Sequence, residues 1–354
     1  MATSTSIPQK PDAGGNVKPT FQPIIFQRPG FEIDVRLNVF GQEYLVHSIV
    51  LRLQSAYFRT FLDSADKVPA VKSSLFRYDY ISVVDNDGEW GLEAVKSTNA
   101  KNSSNENTPK LKEERVESGE KLAFDILLRA FYNRPYSFND YKIFADTYRL
   151  ADFYCALPAF SCSLDSALLA SPRFTSNIEE NSVELLRIAK KLHHPVLFRE
   201  CLVHEVANVS PCDSRNKFWG QRFADDKDLR LAFMIGIWSV REARALADRQ
   251  ILDCLMEAIS MEFDRDDLPI LFGPNNGYKT AGNYRAVLDE LYDDGMLSAD
   301  MIGNLLRNNL ILSRRGDEPR VGGCLVRRWD SGKRFFCAEI RDEDLPWDQD
   351  SVDW

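Results

Sequence analysis

Phe31-Glu-Ile-Asp-Val-Arg-Leu-Asn-Val-Phe-Gly-Gln-Glu-Tyr-Leu-Val-His47 alternates apolar and polar residues, and the period changes directly after it. Ile33, Val35, Leu37 and Val39 fall on one face of a strand with period two. Gly41-Gln42 reads as a tight turn, and Glu43–His47 as the returning strand. From Ser48 onward Val50, Leu51, Gln54, Tyr57, Phe58, Phe61 and Leu62 recur at the spacing of an amphipathic helix. His47 sits where strand becomes helix, flanked by apolar residues, which is the position of a structural, hydrogen-bonded core histidine.

Tyr78-Asp-Tyr-Ile-Ser-Val-Val84 is rich in β-branched and aromatic residues and is closed by Asp85-Asn-Asp-Gly88, so a strand and a turn follow. Residues 96–121 carry almost no large apolar side chains but six basic and five acidic ones, and a solvated insertion loop is expected there. Leu122–Tyr132 returns to a broad helical stripe. Ser137-x-x-Asp140 resembles a capping box ahead of Tyr141, Phe144, Ala145, Tyr148 and Ala151, and Pro158 suits the start of another helix. Beyond Ser171 nearly everything reads as helix, including a long one over about 228–263 and shorter ones near 284–292 and 298–308. Cys324–Cys337 reads as two strands around Asp330-Ser-Gly332, a hairpin.

The chain has 354 residues, 44% of them hydrophobic and 27% charged, which sets an expectation of two or three folded domains. Its formal net charge of −9 and pI of ≈ 5.2 argue against a broad surface for phosphate backbones. The longest apolar run, Leu231–Trp238, is far shorter than the roughly 20 residues a bilayer requires. No secretory signal is visible, and the seven cysteines at 155, 162, 201, 212, 254, 324 and 337 are scattered and odd in number. They read as reduced thiols of a cytoplasmic or nuclear protein, so the sequons at Asn102 and Asn208 are expected to stay unmodified.

Segments that resemble chemical motifs fail on spacing. Gly273-Pro-Asn-Asn-Gly277-Tyr-Lys279 has three residues between its glycines where a phosphate loop needs four, Tyr278 separates glycine from lysine, and Pro274 removes an amide donor. Placing Gly88 at the sixth position of a calcium loop puts Val83 and Ala94 where carboxylates are needed. His193, His194, Cys201, His204 and Cys212 form the one cluster resembling a metal site, but no Cys-x-x-Cys pair accompanies them. There is no Gly-x-Ser-x-Gly elbow, and only four histidines are present. Hence no catalytic residue, no cofactor and no metal ligand is expected.

Asp34, Val39, Tyr44, Val46, His47, Leu51, Ser55, Tyr57 and Phe58 fall in the order of the N-terminal signature of the BTB/POZ domain, which this segment resembles. Tyr80–Val84 resembles the family's next strand, Phe124–Tyr132 its Leu-x-x-Phe/Tyr-Tyr helix, and Tyr148–Tyr154 its Leu-Ala-Asp-x-Tyr helix. Ser48 stands where many members carry a basic residue. The resemblance covers about 31–168 and implies a docking module that forms homodimers, with a cullin-type ubiquitin ligase as an alternative partner. Some adaptors of that kind carry an apolar-x-Glu motif, and Leu111-Lys112-Glu113 has this form.

The resulting expectation is an α+β protein with a BTB/POZ fold, in which a small mixed sheet is flanked by a helical cluster. A disordered arm (1–29) precedes the BTB/POZ domain (30–168), which carries a polar insertion loop at about 86–121. A helical region (172–312), a β-hairpin (320–341) and an acidic tail (342–354) follow. The tail holds six acidic residues and no basic ones and reads as solvated, with docking into a basic aromatic-accepting groove as the alternative. The expected function is non-enzymatic protein–protein interaction: self-association through the BTB domain, partner recognition through the helical region, no direct nucleic acid and no membrane. The resemblance places the dimer face at Phe31, Ile33, Asp34, Val35, Leu51, Tyr57 and Phe58. An enzyme or metal site in 172–354 is the remaining alternative.

Overall fold

The computed structural model describes residues 22–64, 75–85, 88, 90–95, 110–207, 223–260, 284–285, 287–288, 300–312, 325–326 and 334–350. The protein is mixed α+β, and it divides into two compact units, Met1–Lys121 and Leu122–Trp354.

The first unit is built on a five-stranded mixed sheet in the order β1-β3-β2-β4-β5. Its strands are β1 (Ile24–Ile25), β2 (Val35–Val39), β3 (Gln42–Val46), β4 (Tyr78–Val84) and β5 (Trp90–Ala94). β2 and β3 form an antiparallel hairpin, β4 lies parallel to β2 with Leu37 opposite Tyr80, and β5 returns antiparallel to β4. Helices α1 (Ser48–Gln54) and α2 (Ala56–Asp63) connect β3 to β4. Of the period-two face read from the sequence, Val35, Leu37 and Val39 on β2 are buried and Ile33, just before it, is half-buried; Tyr44 and Val46 of β3 are buried beside them. Phe61 of α2 meets Tyr80 at 4.9 Å between ring centroids, which seats the helix on the sheet. On the same pair of strands Arg36 and Asp79, register partners, join through two hydrogen bonds.

Three expectations change in this unit. Order begins before Phe31: β1 pairs parallel with β3, and the buried Phe26 donates its N–H to Leu45 O at 2.9 Å. A two-residue strand is too short to show a period. The hairpin turn is Phe40-Gly41, one residue earlier than read, and both residues have positive φ (47° and 79°), as a two-residue primed turn requires. Phe40 is held there by its N–H on Ser82 Oγ at 2.9 Å and by Trp90 edge-on at 5.1 Å. Finally, the stretch expected as an insertion loop contains β5 and the first half of α3 (Lys110–Phe131). Lys and Glu are good helix formers, so a polar composition did not imply a loop.

The second unit is helical. It contains α4 (Tyr141–Phe153), α5 (Leu157–Leu169), the short α6 (Pro172–Thr175), α7 (Ser182–Lys191), α8 (Pro195–Ala207), α9 (Lys227–Ser260) and α10 (Asp300–Leu305). Phe138, Phe144, Phe160 and Phe174 form one aromatic cluster between α4, α5 and α6, with neighbouring centroids 5.0–6.3 Å apart. A second core gathers Ala247 and Ile251 of α9, Ile302 and Leu305 of α10, and Tyr284 and Phe336. The expected hairpin is present as β6 (Leu325–Val326) paired antiparallel with β7 (Arg334–Phe335).

Helix α8 is enclosed on every side, with all residues from Glu200 to Val206 buried. Its charged groups serve as ties. Glu200 Oε2 accepts the N–H groups of Ile311 and Leu312 at 2.9 and 3.2 Å, and Glu205 accepts the hydroxyl of Ser182. Arg199 donates to Ile340 O at 2.9 Å and to Asp342. The C-terminal segment is thereby docked, contrary to the solvated tail expected. Leu345 is buried, and Trp347 stacks on His193 at 5.4 Å and meets Phe198 edge-on at 5.1 Å. Acidic composition gave no sign of this, because the docking depends on the apolar residues between the charges. Trp354 lies outside the described residues.

At Gly236 α9 packs tightly against α8. A Cβ there would stand 2.7 Å from Val206 Cγ2 and 3.3 Å from Ile340 Cδ1. Val206 is β-branched and helical, so it has no other good rotamer. Gly236→Ala gains up to about 1 kcal/mol of helix propensity but forces an overlap costing roughly 1–3 kcal/mol, so a net loss of about 1 kcal/mol is expected in urea denaturation. An equal or higher midpoint would show that the contact relaxes freely.

Candidate functional site

The hairpin end and the start of α1 are locked together by one carboxylate. His47 occupies the cap position in extended conformation (φ −109°, ψ 129°) but supplies no side-chain cap. Asp34, just before β2, takes that role: its Oδ1 accepts Ser48 N–H at 2.7 Å and its Oδ2 accepts the Ser48 hydroxyl at 2.6 Å. A carboxylate on the first-turn amide is stabilised by the helix dipole. Ser55 then ends α1 and caps α2, its Oγ accepting Phe58 N–H at 3.0 Å.

So anchored, α1 buries Ser48, Val50 and Leu51 and turns Ile49 and Leu53 outward, 44% and 70% exposed. These two residues, one turn apart, share a face. Phe31, 52% exposed, lies edge-on to the His47 ring at 6.4 Å. Arg52 on the same helix donates to the Tyr78 hydroxyl at 2.8 Å. The first unit thus presents apolar side chains to solvent from a rigid helix.

The expected face is distributed unevenly. Phe31 is exposed; Ile33, Asp34 and Tyr57 are half-buried, with Tyr57 stacked on Phe61 at 5.0 Å. Val35, Leu51 and Phe58 have no exposure and are interior residues of this unit. Alternation on a strand identifies its apolar side but cannot say whether that side meets its own core or another chain. Ile49 and Leu53 were passed over. The signal for them was the run Ile49-Val-Leu-Arg-Leu53, which is apolar around more of the helix than one core can cover.

Of the residues singled out as metal-like, His193 and His194 have structural roles, and Cys201 and His204 are buried on α8. His193 (φ 46°) closes α7 in the left-handed conformation, with His194 N–H bonded to Ala189 O at 3.0 Å. His194 caps α8: its Nδ1 accepts Leu197 N–H at 3.1 Å, and its Nε2 lies 3.1 Å from Asp165 Oδ1. With Nδ1 accepting, the proton sits on Nε2 and is donated to the carboxylate. Cys201 is fully buried, and burial pushes its thiol well up, away from the reactive thiolate. Cys212 and Gly273–Thr280 lie outside the described residues, and among the described residues no three His, Cys, Asp or Glu converge as metal ligands. Asp85 O accepts Gly88 N–H at 3.0 Å, with Gly88 at φ 82°, as in a turn.

The second unit also holds a groove of ≈ 550 Å³ between α9, α10 and the C-terminal segment. Trp238 and Leu246 line it with Met301 and Leu305, and Arg307 and Asp344 stand among its polar residues. No helix among the described residues is long and apolar enough to cross a membrane. No known family model matches this sequence, and no curated protein matches it either.

The His194 imidazole holds the Asp165 carboxyl below the usual carboxylate range, chiefly through their hydrogen bond. A carboxyl depressed by folding stabilises the fold above its ordinary value near ~4 and loses that contribution as pH falls through the lowered value. Asp165 is 71% exposed, so solvent screening limits the effect to under about 1 kcal/mol. Asp165→Asn is expected to lower the urea midpoint slightly at neutral pH and to match the wild type in strong acid. A deficit that persists unchanged in acid would show that the carboxylate charge contributes nothing.

Proposed function

We propose that the protein is a non-enzymatic docking protein whose first unit self-associates through the outer face of α1, in the manner of a BTB/POZ module. The observation that carries this reading is the exposure of Ile49 and Leu53 on a helix whose start is fixed by Asp34. Large apolar side chains held outward on a rigid element lower the free energy of association, because they are covered at little cost in side-chain order. The order of elements supports it as well: two strands, helix and a further strand is the succession that the resemblance implies, and the first unit has hairpin, α1 and α2, then β4. The helical second unit would carry partner recognition. The adaptor alternative keeps the same architecture and differs in the partner, a cullin.

Leu53→Glu places a charge at the most exposed point of this face without touching the core. Light scattering coupled to gel filtration on the full chain is expected to show a particle of half the wild-type mass, with an unchanged circular dichroism spectrum. A wild-type mass retained by both Leu53→Glu and the Ile49→Glu/Leu53→Glu double variant would overturn the reading. Pull-down with a purified cullin decides between simple self-association and the adaptor role.

A further inference from the structure

Residues 341–350 are held differently from those just before them. Phe336, Cys337, Ala338 and Ile340 are buried, and Asn309 donates to Ala338 O at 3.3 Å, so that stretch belongs to the core of the second unit. Residues 341–350 instead close on themselves. Asp344 Oδ2 accepts the N–H of Arg341 at 2.9 Å, while Asp342 O accepts from Leu345 N–H at 3.3 Å and from Gln349 Nε2 at 2.9 Å. Three side chains carry the docking of this turn. Asp342 meets the Arg199 guanidinium, Leu345 is buried, and Trp347 fills a notch with its ring parallel to His193 (1°) and upright against Phe198 (88°). Glu343, Asp348, Gln349 and Asp350 stay exposed.

We propose that the turn between α7 and α8, with Arg199, is a peptide-binding site that residues 341–350 occupy in cis, and that an acidic peptide of another protein with the form Asp-x-x-Leu-x-Trp displaces them. The seated segment defines the chemistry of the occupant. Arg199 requires a carboxylate, and the His193–Phe198 notch takes an indole by its face and its edge. An aromatic anchor and a charge-assisted arginine contact, spaced within six residues, form the kind of pair that dominates peptide recognition. Because the turn satisfies its backbone internally, it keeps its shape when it leaves the site. Pro346, between the two apolar anchors, fixes one φ and lowers the cost of ordering the segment.

Tethering holds the cis segment at an effective concentration of the order of millimolar. An outside peptide therefore succeeds only by binding more tightly than the tethered copy or by adding contacts beyond the three anchors. The site is closed to weak partners by the chain's own C-terminal residues. This gives the partner recognition proposed for the second unit a location and rests on that reading; it is independent of self-association through α1.

The full-length chain carrying Leu345→Asp and Trp347→Ala retains the notch and empties it. The probe is a fluorescein-labelled synthetic peptide of residues 340–350, read by fluorescence anisotropy. It is expected to bind this variant at least about tenfold more tightly than the wild type, whose site the tethered copy fills. Trp347→Ala alone removes one half-buried side chain, leaves Leu345 in place, and is expected to shift affinity in the same direction. Adding Arg199→Glu to either variant, or replacing the tryptophan of the probe by alanine, should abolish the gain. Equal binding by the wild type and both variants, no binding to either variant, or binding indifferent to Arg199→Glu would each overturn the proposal. Leu53→Glu in the double variant keeps the two readings apart. If it lowers the particle mass while the probe fails to bind, this site is wrong and the α1 face stands. If the probe binds and the mass is unchanged, the α1 face is wrong and this site stands.

Discussion

A helix can bury only the faces that its neighbours cover, and α1, α8 and α9 divide on that constraint. Helix α8 is apolar nearly all round and is enclosed all round, so its polar groups must find partners inside the protein. Glu200 and Glu205 accept from backbone and hydroxyl donors, and these bonds draw residues 311–312 and Ser182 against the helix. Arg199 does the same for the C-terminal segment. An unsatisfied carboxylate at this depth would be costly, so the ties are as much a condition of burying α8 as a consequence of it. Helices α1 and α9 meet the opposite case, with more apolar surface than their own unit covers.

The proposed self-association rests on that surplus. Outward helix faces are mostly polar, and apolar residues grouped together on one mark a surface that a partner can cover. In α1 the surplus is two residues one turn apart, and in α9 it is Leu231, Met234 and Trp238 toward one end with Leu252 and Met256 toward the other. Both helices are firmly held on their inner side, α1 by Asp34 and α9 by the close packing at Gly236. A rigidly held apolar face loses little conformational freedom when a partner covers it.

The residues that looked chemically suggestive are instead devices for turning the chain. His193 and His194 are adjacent because one helix must end and the next begin within two residues, and imidazole serves both needs: a left-handed closure and a side-chain cap. Asn133 and Cys155, also with positive φ, follow α3 and α4 in the same manner without glycine. In each case a short polar or polarisable side chain accepts a conformation that costs most L-residues about 1–2 kcal/mol.

Much of the fold was legible from period alone. Alternation over residues 33–39 located β2 and its buried face, and the switch at Ser48 located the start of α1 but not the break at Ser55, which divides the one expected helix into α1 and α2. Strand β1, strand β5 and the polar half of α3 were missed, for they are ordered by partners distant in sequence or by propensity without an apolar stripe. The expected interaction face illustrates the same limit. Sequence determined which side chains are apolar at Val35, Leu51 and Phe58 and at Ile49 and Leu53. Only the tertiary structure decided which of them a core had already taken, because burial depends on what the rest of the chain places opposite a face.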